Sequence, residues 1–120
     1  MRITILKSKI HRATVTQSSI DYEGSITIDA DLMKACGLLP YEKVLVSNIT
    51  NGSRLETYAI KGEPKTGIIG LNGAAAKLGK VGDKVTIMSF ASFSLAQANK
   101  FHPKIVVLDE FNRAKLRSKI

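Results

Sequence analysis

Four short stretches of the 120-residue chain combine residue types that can do chemistry: Lys9 with His11, Tyr22-Glu23-Gly24-Ser25, Asn51-Gly52-Ser53-Arg54 with Thr57 and Tyr58, and Asn72-Gly73-Ala74-Ala75-Ala76. Arg54 brings a planar guanidinium fork that meets a carboxylate with two parallel hydrogen bonds, and Lys9 supplies a second cation. Small side chains at 73–76 let main-chain donors approach a ligand closely, although they also suit a tightly packed helix start. Ser25 is a hydroxyl placed directly after a glycine, the residue that takes unusual backbone geometry at little steric cost; an isolated Gly-Ser pair otherwise reads as a turn.

Other chemistries fail on spacing. Gly67-Ile-Ile-Gly70-Leu-Asn-Gly73 has two residues in each gap, so it does not match the G-x-G-x-x-G dinucleotide fingerprint. Gly73 to Lys80 holds one residue too many for a phosphate loop, and Val81 stands where a magnesium-binding Ser or Thr belongs. No G-x-S-x-G elbow singles out a hydrolase serine. One cysteine, Cys36, and two histidines, His11 and His102, are too few for a structural zinc site and exclude an internal disulfide framework. Taken alone, His11 reads as a surface histidine on a basic strand and Cys36 as a small core residue.

The elements that must position these residues are mainly β. Ile3 to Ile10, continuing to Val15, reads as one long strand or two broken by a bend, with Lys7, Lys9 and His11 on one face. Asp29 or Asp31 caps a short helix through Ala35 that Gly37 ends. Val44–Ile49 and Arg54–Ile60 flank Asn51-Gly52, a strong hairpin signal. Thr66–Leu71, Val85–Phe90 and Ile105–Leu108 read as further strands, Ala74–Leu78 as a helical turn or two, and Ser94-Leu95-Ala96-Gln97 as a capping box. At least six short strands with two or three short helices imply a small closed or nearly closed barrel.

A composition of 44% hydrophobic and 23% charged residues belongs to a single folded domain rather than to disorder. No stretch approaches the ~20 apolar residues of a membrane span, so the expectation is a cytoplasmic protein without membrane contact. The net charge is +8, half of it in residues 100–120, and from Phe111 the chain reads as a basic, mobile tail. That basic balance supports one alternative, a small basic β-barrel that binds nucleic acid through its C-terminal residues. It requires an intact chain and salt-dependent binding. With seven aromatic residues and no Trp, a stacking platform for bases has few parts.

The four stretches, in this order and spacing in a chain of this length, resemble the pyruvoyl-dependent aspartate 1-decarboxylase family from residue 1 to about residue 110. The resemblance implies a double-psi β-barrel of six strands and a chain that cuts itself between Gly24 and Ser25 into 1–24 and 25–120. Residue 25 then becomes a pyruvoyl group that replaces pyridoxal phosphate and any metal. It forms a Schiff base with L-aspartate and withdraws electrons as CO2 leaves, giving β-alanine for pantothenate synthesis. By the same resemblance Thr57 binds substrate and assists self-cleavage, and Tyr58 returns the proton. Arg54 and Lys9 hold a substrate carboxylate, the backbone of Gly73, Ala74 and Ala75 cradles the substrate, and His11 and Asn72 support it. The family's sites lie between subunits of a homotetramer, and the resemblance leaves room for an accessory maturation factor. In a regular strand Thr57 and Tyr58 face opposite sides, so a shared pocket requires a bulge or a second subunit. Ser47 stands where some family members carry tryptophan, which changes what packs against the substrate there.

Overall fold

The computed structural model describes residues 1–117. It is mainly β, with nine strands: β1 Arg2–Thr14, β2 Gln17–Ser19, β3 Ser25–Asp29, β4 Lys43–Asn48, β5 Arg54–Gly62, β6 Ile69–Asn72, β7 Lys84–Ser94, β8 Lys104–Leu108 and β9 Ala114–Arg117. Helix α1 spans Ala30–Cys36, a 3-10 helix spans Gly73–Leu78, and α2 spans Leu95–Ala98. Neighbouring strands follow the order β2-β6-β3-β5-β4-β7-β1-β8-β9. Because β2 continues β1 after two residues, this order returns on itself. Six positions form a ring (β1 with β2, β6, β3, β5, β4, β7), and β8 and β9 attach outside it. The expectation of at least six strands is met; one of those read, Ile105–Leu108, is β8 and lies outside the ring, while β2 and β9 have no counterpart in the sequence reading.

Alternation explains which faces turn inward. Ile10, Ile26, Ile28, Val46, Leu71 and Ile87 are all fully buried, and each contributes about 1.5–3 kcal/mol by leaving water. β1 is one long strand with register shifts between Leu6 and Ser8 and between Ile10 and Ala13, and Arg12 takes a positive φ of 63° at the second. The first shift takes Lys7 out of the expected row with Lys9 and His11. Its ammonium instead reaches the Gly37 carbonyl and the Glu42 carboxylate, at 3.1 Å, where it complements the C-terminal end of α1.

Asp29 caps α1 through Oδ1, which accepts from Asp31 N at 2.8 Å, and Gly37 closes the helix at φ 75°. The Asp29 carboxylate also accepts from the main-chain N–H groups of Lys65 and Gly67. Gly67 itself is left-handed, at φ 70°, which breaks the strand expected from Thr66 and delays β6 to Ile69. The hairpin is confirmed, and its tip is pinned: Asn48 Nδ2, Asn51 Nδ2 and Ser53 Oγ all donate to the Leu78 carbonyl at the end of the 3-10 helix. The capping box at Ser94 and Gln97 is present, while β7 runs past Phe90 to Ser94 because it pairs with β1 along its length.

The largest correction concerns residues 111–120, expected to be a tail. Asn112 is 3% exposed; its Oδ1 accepts from Thr14 N, and its Nδ2 donates to the carbonyls of Thr14 and Gly67, all at 2.7–2.8 Å. Ala114–Arg117 then pairs antiparallel with β8. Charge alone suggested solvation here, but one polar side chain completes the backbone of two distant segments. The remainder of the expected tail, 118–120, lies outside the described residues.

Candidate active site

Ser25 opens β3 and is fully buried. β3 lies between β6, antiparallel with Ser25 opposite Asn72, and β5, parallel with Ile26 opposite Ala59. Ser25 Oγ donates to the Glu23 carbonyl at 3.2 Å and accepts from Asn72 Nδ2 at 3.0 Å. The same amide nitrogen donates to Thr27 Oγ1 at 2.9 Å. Beside this cluster is a cavity of about 450 Å³ whose walls include Tyr22, Glu23, Thr27, Ile60 and Ile68. Sequence reading did not single out Thr27, Ile60 or Ile68. Thr27 was within reach, since it lies two residues from Ser25 on the same strand face.

The glycines exchange the roles expected of them. Gly24 is exposed, does not appear among the positive-φ glycines, and a Cβ built on it meets nothing within 4 Å. Gly73 has φ 63°, and a Cβ there falls 2.7 Å from Gly24 N and from the Tyr22 carbonyl oxygen. The steric demand for glycine is therefore at 73, where β6 turns into the 3-10 helix against the backbone that precedes Ser25. Ala74 is exposed and Ala75 buried on that helix.

On β5 the register with β4 runs unbroken from Lys43 opposite Tyr58 to Ser47 opposite Arg54, so there is no bulge. Arg54, Glu56, Tyr58 and Ile60 alternate onto one face, and Leu55, Thr57 and Ala59 onto the other, which carries the core. Tyr58 lies one residue before Ala59 as Ser25 lies one before Ile26, so the parallel pairing places them at adjacent strand positions. The Tyr58 ring packs beside Tyr41, centroids 6.4 Å apart.

The cationic residues lie elsewhere on the sheet. His11 Nδ1 is 3.4 Å from Thr86 Oγ1, Thr86 pairs with Ser47, and Ser47 with Arg54. His11, Thr86, Ser47 and Arg54 thus form a row across β1, β7, β4 and β5. Lys9 starts the next row, opposite Met88. Burial, then the charges of Lys9 and Arg12, hold the His11 pKa below the usual imidazole value, which favours a neutral ring beside Lys9. Ser47 Oγ is buried without a hydrogen-bond partner among the described residues. Neither Arg54, Lys9, Thr57 nor Tyr58 lines the Ser25 cavity. The Ser25 cluster and the row of His11, Thr86, Ser47 and Arg54 therefore lie on different parts of the ring, joined through β5, as two candidate half-sites.

Cys36 is buried in the last turn of α1, and burial pushes its thiol up to about 11, the behaviour of an inert core thiol. Among the described residues no helix is long and apolar enough to cross a membrane.

A family model described as aspartate decarboxylase matches residues 1–115, past the boundary of about 110 read from the motifs. The chain is 57% identical over 113 residues to an aspartate 1-decarboxylase of Ruminiclostridium cellulolyticum, covering 94% of this chain and 88% of that one. It is 54% identical over 113 residues to an aspartate 1-decarboxylase of Carboxydothermus hydrogenoformans, covering 94% and 89%. With the aspartate 1-decarboxylase of Campylobacter jejuni it shares 56% identity over 114 residues, covering 95% and 90%.

Proposed function

The chain belongs to the aspartate decarboxylase family, and on that premise we propose that it removes the α-carboxylate of L-aspartate after cutting itself between Gly24 and Ser25. It is a carboxy-lyase. The products are CO2 and β-alanine, a building block of pantothenate, made in the cytoplasm. The observation that carries the reading is Ser25 itself: a fully buried hydroxyl held between the Asn72 amide and the Glu23 carbonyl, at a cavity of about 450 Å³, within the ~300–1,000 Å³ usual for small-ligand sites.

Decarboxylation needs an electron sink, and an N-terminal pyruvoyl group at residue 25 supplies one when present. The residues around Ser25 fit its formation. Ser25 Oγ attacks the Gly24 carbonyl carbon; the bond to the Ser25 nitrogen breaks, an ester forms, and that nitrogen becomes a free amine with the hydroxyl proton. Loss of the Ser25 α-proton with cleavage of its Cβ–O bond frees Gly24 as a carboxylate and leaves an enamine. Its imine tautomer takes up water and releases ammonia, leaving the keto group. No oxidant is required. Asn72 keeps the attacking oxygen in place, and Thr57, which faces away from Tyr58 on β5, assists the cut and contacts substrate in a site shared with a second copy of the chain.

Arg54 holds a carboxylate of the substrate through charge-assisted hydrogen bonds, and Lys9, on the neighbouring row but across β4 and β7 on β1, adds a second positive charge. His11, neutral at pH 7, supports that row. The backbone of Gly73, Ala74 and Ala75 cradles the substrate, and the Tyr58 phenol protonates the carbon that has lost CO2. Separation of the two half-sites favours completion of each site by a second copy of the chain, in a homotetramer. The unbroken β5 register supports this, since a bulge no longer offers the alternative.

Intact-mass spectrometry of purified protein tests the reading. The expected result is two peptides, 1–24 and 25–120, the larger blocked to N-terminal sequencing, and a Ser25→Ala variant that folds but stays whole. A parent that remains full length after long incubation, or a Ser25→Ala variant that is cut, refutes it.

A further inference from the structure

Asn72 and Gly73 are consecutive, and they touch opposite sides of the bond between residues 24 and 25. Asn72 Nδ2 donates to Ser25 Oγ at 3.0 Å, the group that attacks. Gly73 abuts the residue that is attacked: an added Cβ would stand 2.7 Å from Gly24 N, 2.7 Å from the Tyr22 oxygen and 2.8 Å from Gly24 Cα. All three atoms are backbone, so no side chain can swing aside to make room. Gly73 also has φ 63°, the left-handed turn that lets β6 leave Asn72 facing Ser25 while the next residue meets Gly24.

We propose that Gly73 is a positioning residue for self-cleavage, serving as the seat against which the Tyr22–Gly24 backbone rests while Asn72 holds the Ser25 hydroxyl. The β6 to 3-10 junction thereby fixes nucleophile and electrophile relative to one another. This rests on the self-cleavage reading above. It assigns the glycine requirement of the reaction to position 73 and not to Gly24, around which a Cβ finds open space. Any larger residue at 73 must push the Gly24 backbone away by several tenths of an ångström, and misplacement of reacting groups by about 1 Å can cost on the order of 100-fold in rate.

The test compares Gly73→Ala with Gly52→Ala. Gly52 is left-handed too, at φ 80°, but nothing lies within 4 Å of its added Cβ. Both variants therefore carry the backbone strain of alanine at positive φ, and only one touches the scissile segment. The readout is the rate at which full-length chain disappears, beside the thermal midpoint. Gly73→Ala is expected to cleave at least about tenfold more slowly, while Gly52→Ala, which carries the φ strain without the clash, cleaves like the parent despite its own loss of midpoint. Equal cleavage rates in the two variants overturn the proposal. If Gly73→Ala does not fold, Ala74→Gly loosens the same seat without adding an atom. It is expected to slow cleavage by about two- to fivefold, and a parental rate there also overturns the proposal. A parent that never cleaves removes the self-cleavage reading itself; a parent that cleaves with equally fast variants removes only the role of Gly73.

Discussion

Replacing Asn72 with Ala removes one nitrogen that serves two hydroxyls, Ser25 Oγ at 3.0 Å and Thr27 Oγ1 at 2.9 Å. Each bond contributes about 0.5–1.5 kcal/mol net, so the variant should lose about 1–3 kcal/mol of folding stability. Its effect on cleavage is separable from that loss. Freed from its donor, the Ser25 hydroxyl samples three staggered rotamers in place of one, a factor of about three, and losing an orienting bond of about 1.4 kcal/mol gives about tenfold. Thr27→Val supplies the comparison, because it removes only the 2.9 Å acceptor, keeps the side-chain shape and leaves the bond to Ser25. Urea titration of uncleaved chains carrying Ser25→Ala gives the stability change from the Thr27 side. The time course of full-length chain by intact mass gives the cleavage rate. The expected order is parent and Thr27→Val together, within about twofold, and Asn72→Ala about three- to tenfold slower. If Asn72→Ala cleaves as fast as Thr27→Val, Asn72 braces the sheet and does not orient the nucleophile.

Two further substitutions separate substrate binding from proton return. Arg54→Lys keeps the charge but loses the fork; cleavage should proceed, while β-alanine formation falls by about 10- to 150-fold, the equivalent of ~1.5–3 kcal/mol for a charge-assisted contact. Parental turnover by chromatographic assay would move the anchor to another residue. Tyr58→Phe preserves the ring and removes the phenolic proton. It should still be cut and still be trapped by borohydride with aspartate, yet make β-alanine at least ~100-fold more slowly, and near-parental production at equal pyruvoyl content would take the proton donor elsewhere.

Local signals were legible where chemistry and backbone agree at short range. The Asn51-Gly52 hairpin, the Asp29 cap with Gly37 behind α1, and the box at Ser94 each depend on a few consecutive residues. The parallel pairs β1 with β8, β2 with β6 and β3 with β5 depend on segments far apart in sequence, which periodicity cannot connect. In sequence Asn112 reads as part of a charged tail, because its three partners, at Thr14 and Gly67, are invisible without the fold. For the candidate site, the motifs named the residues, while the register decides who meets whom. Arg54 and Ser25 are close in no motif, and alternation along β5 sends Thr57 to the core face and Tyr58 outward. In sequence the preference for glycine at 24 follows from the bond to be cut, whereas the contact that demands glycine comes from residue 73 across the sheet.

β1 pairs along its whole length with β7 and over Ser8–His11 with β8, and β2 follows it onto β6. Residues 1–24 are thus woven into the ring. A cut after Gly24 converts one folded chain into a complex of two peptides without releasing either. Unfolding then changes molecularity: each uncut subunit comes apart as one chain, whereas each cut subunit comes apart as two peptides, so the midpoint of the cut protein rises more steeply with protein concentration. The reverse reaction changes as well. An intramolecular search for the β1 position becomes an encounter between two partners, so a cleaved molecule that has been unfolded and diluted loses the assembly route by which it was made.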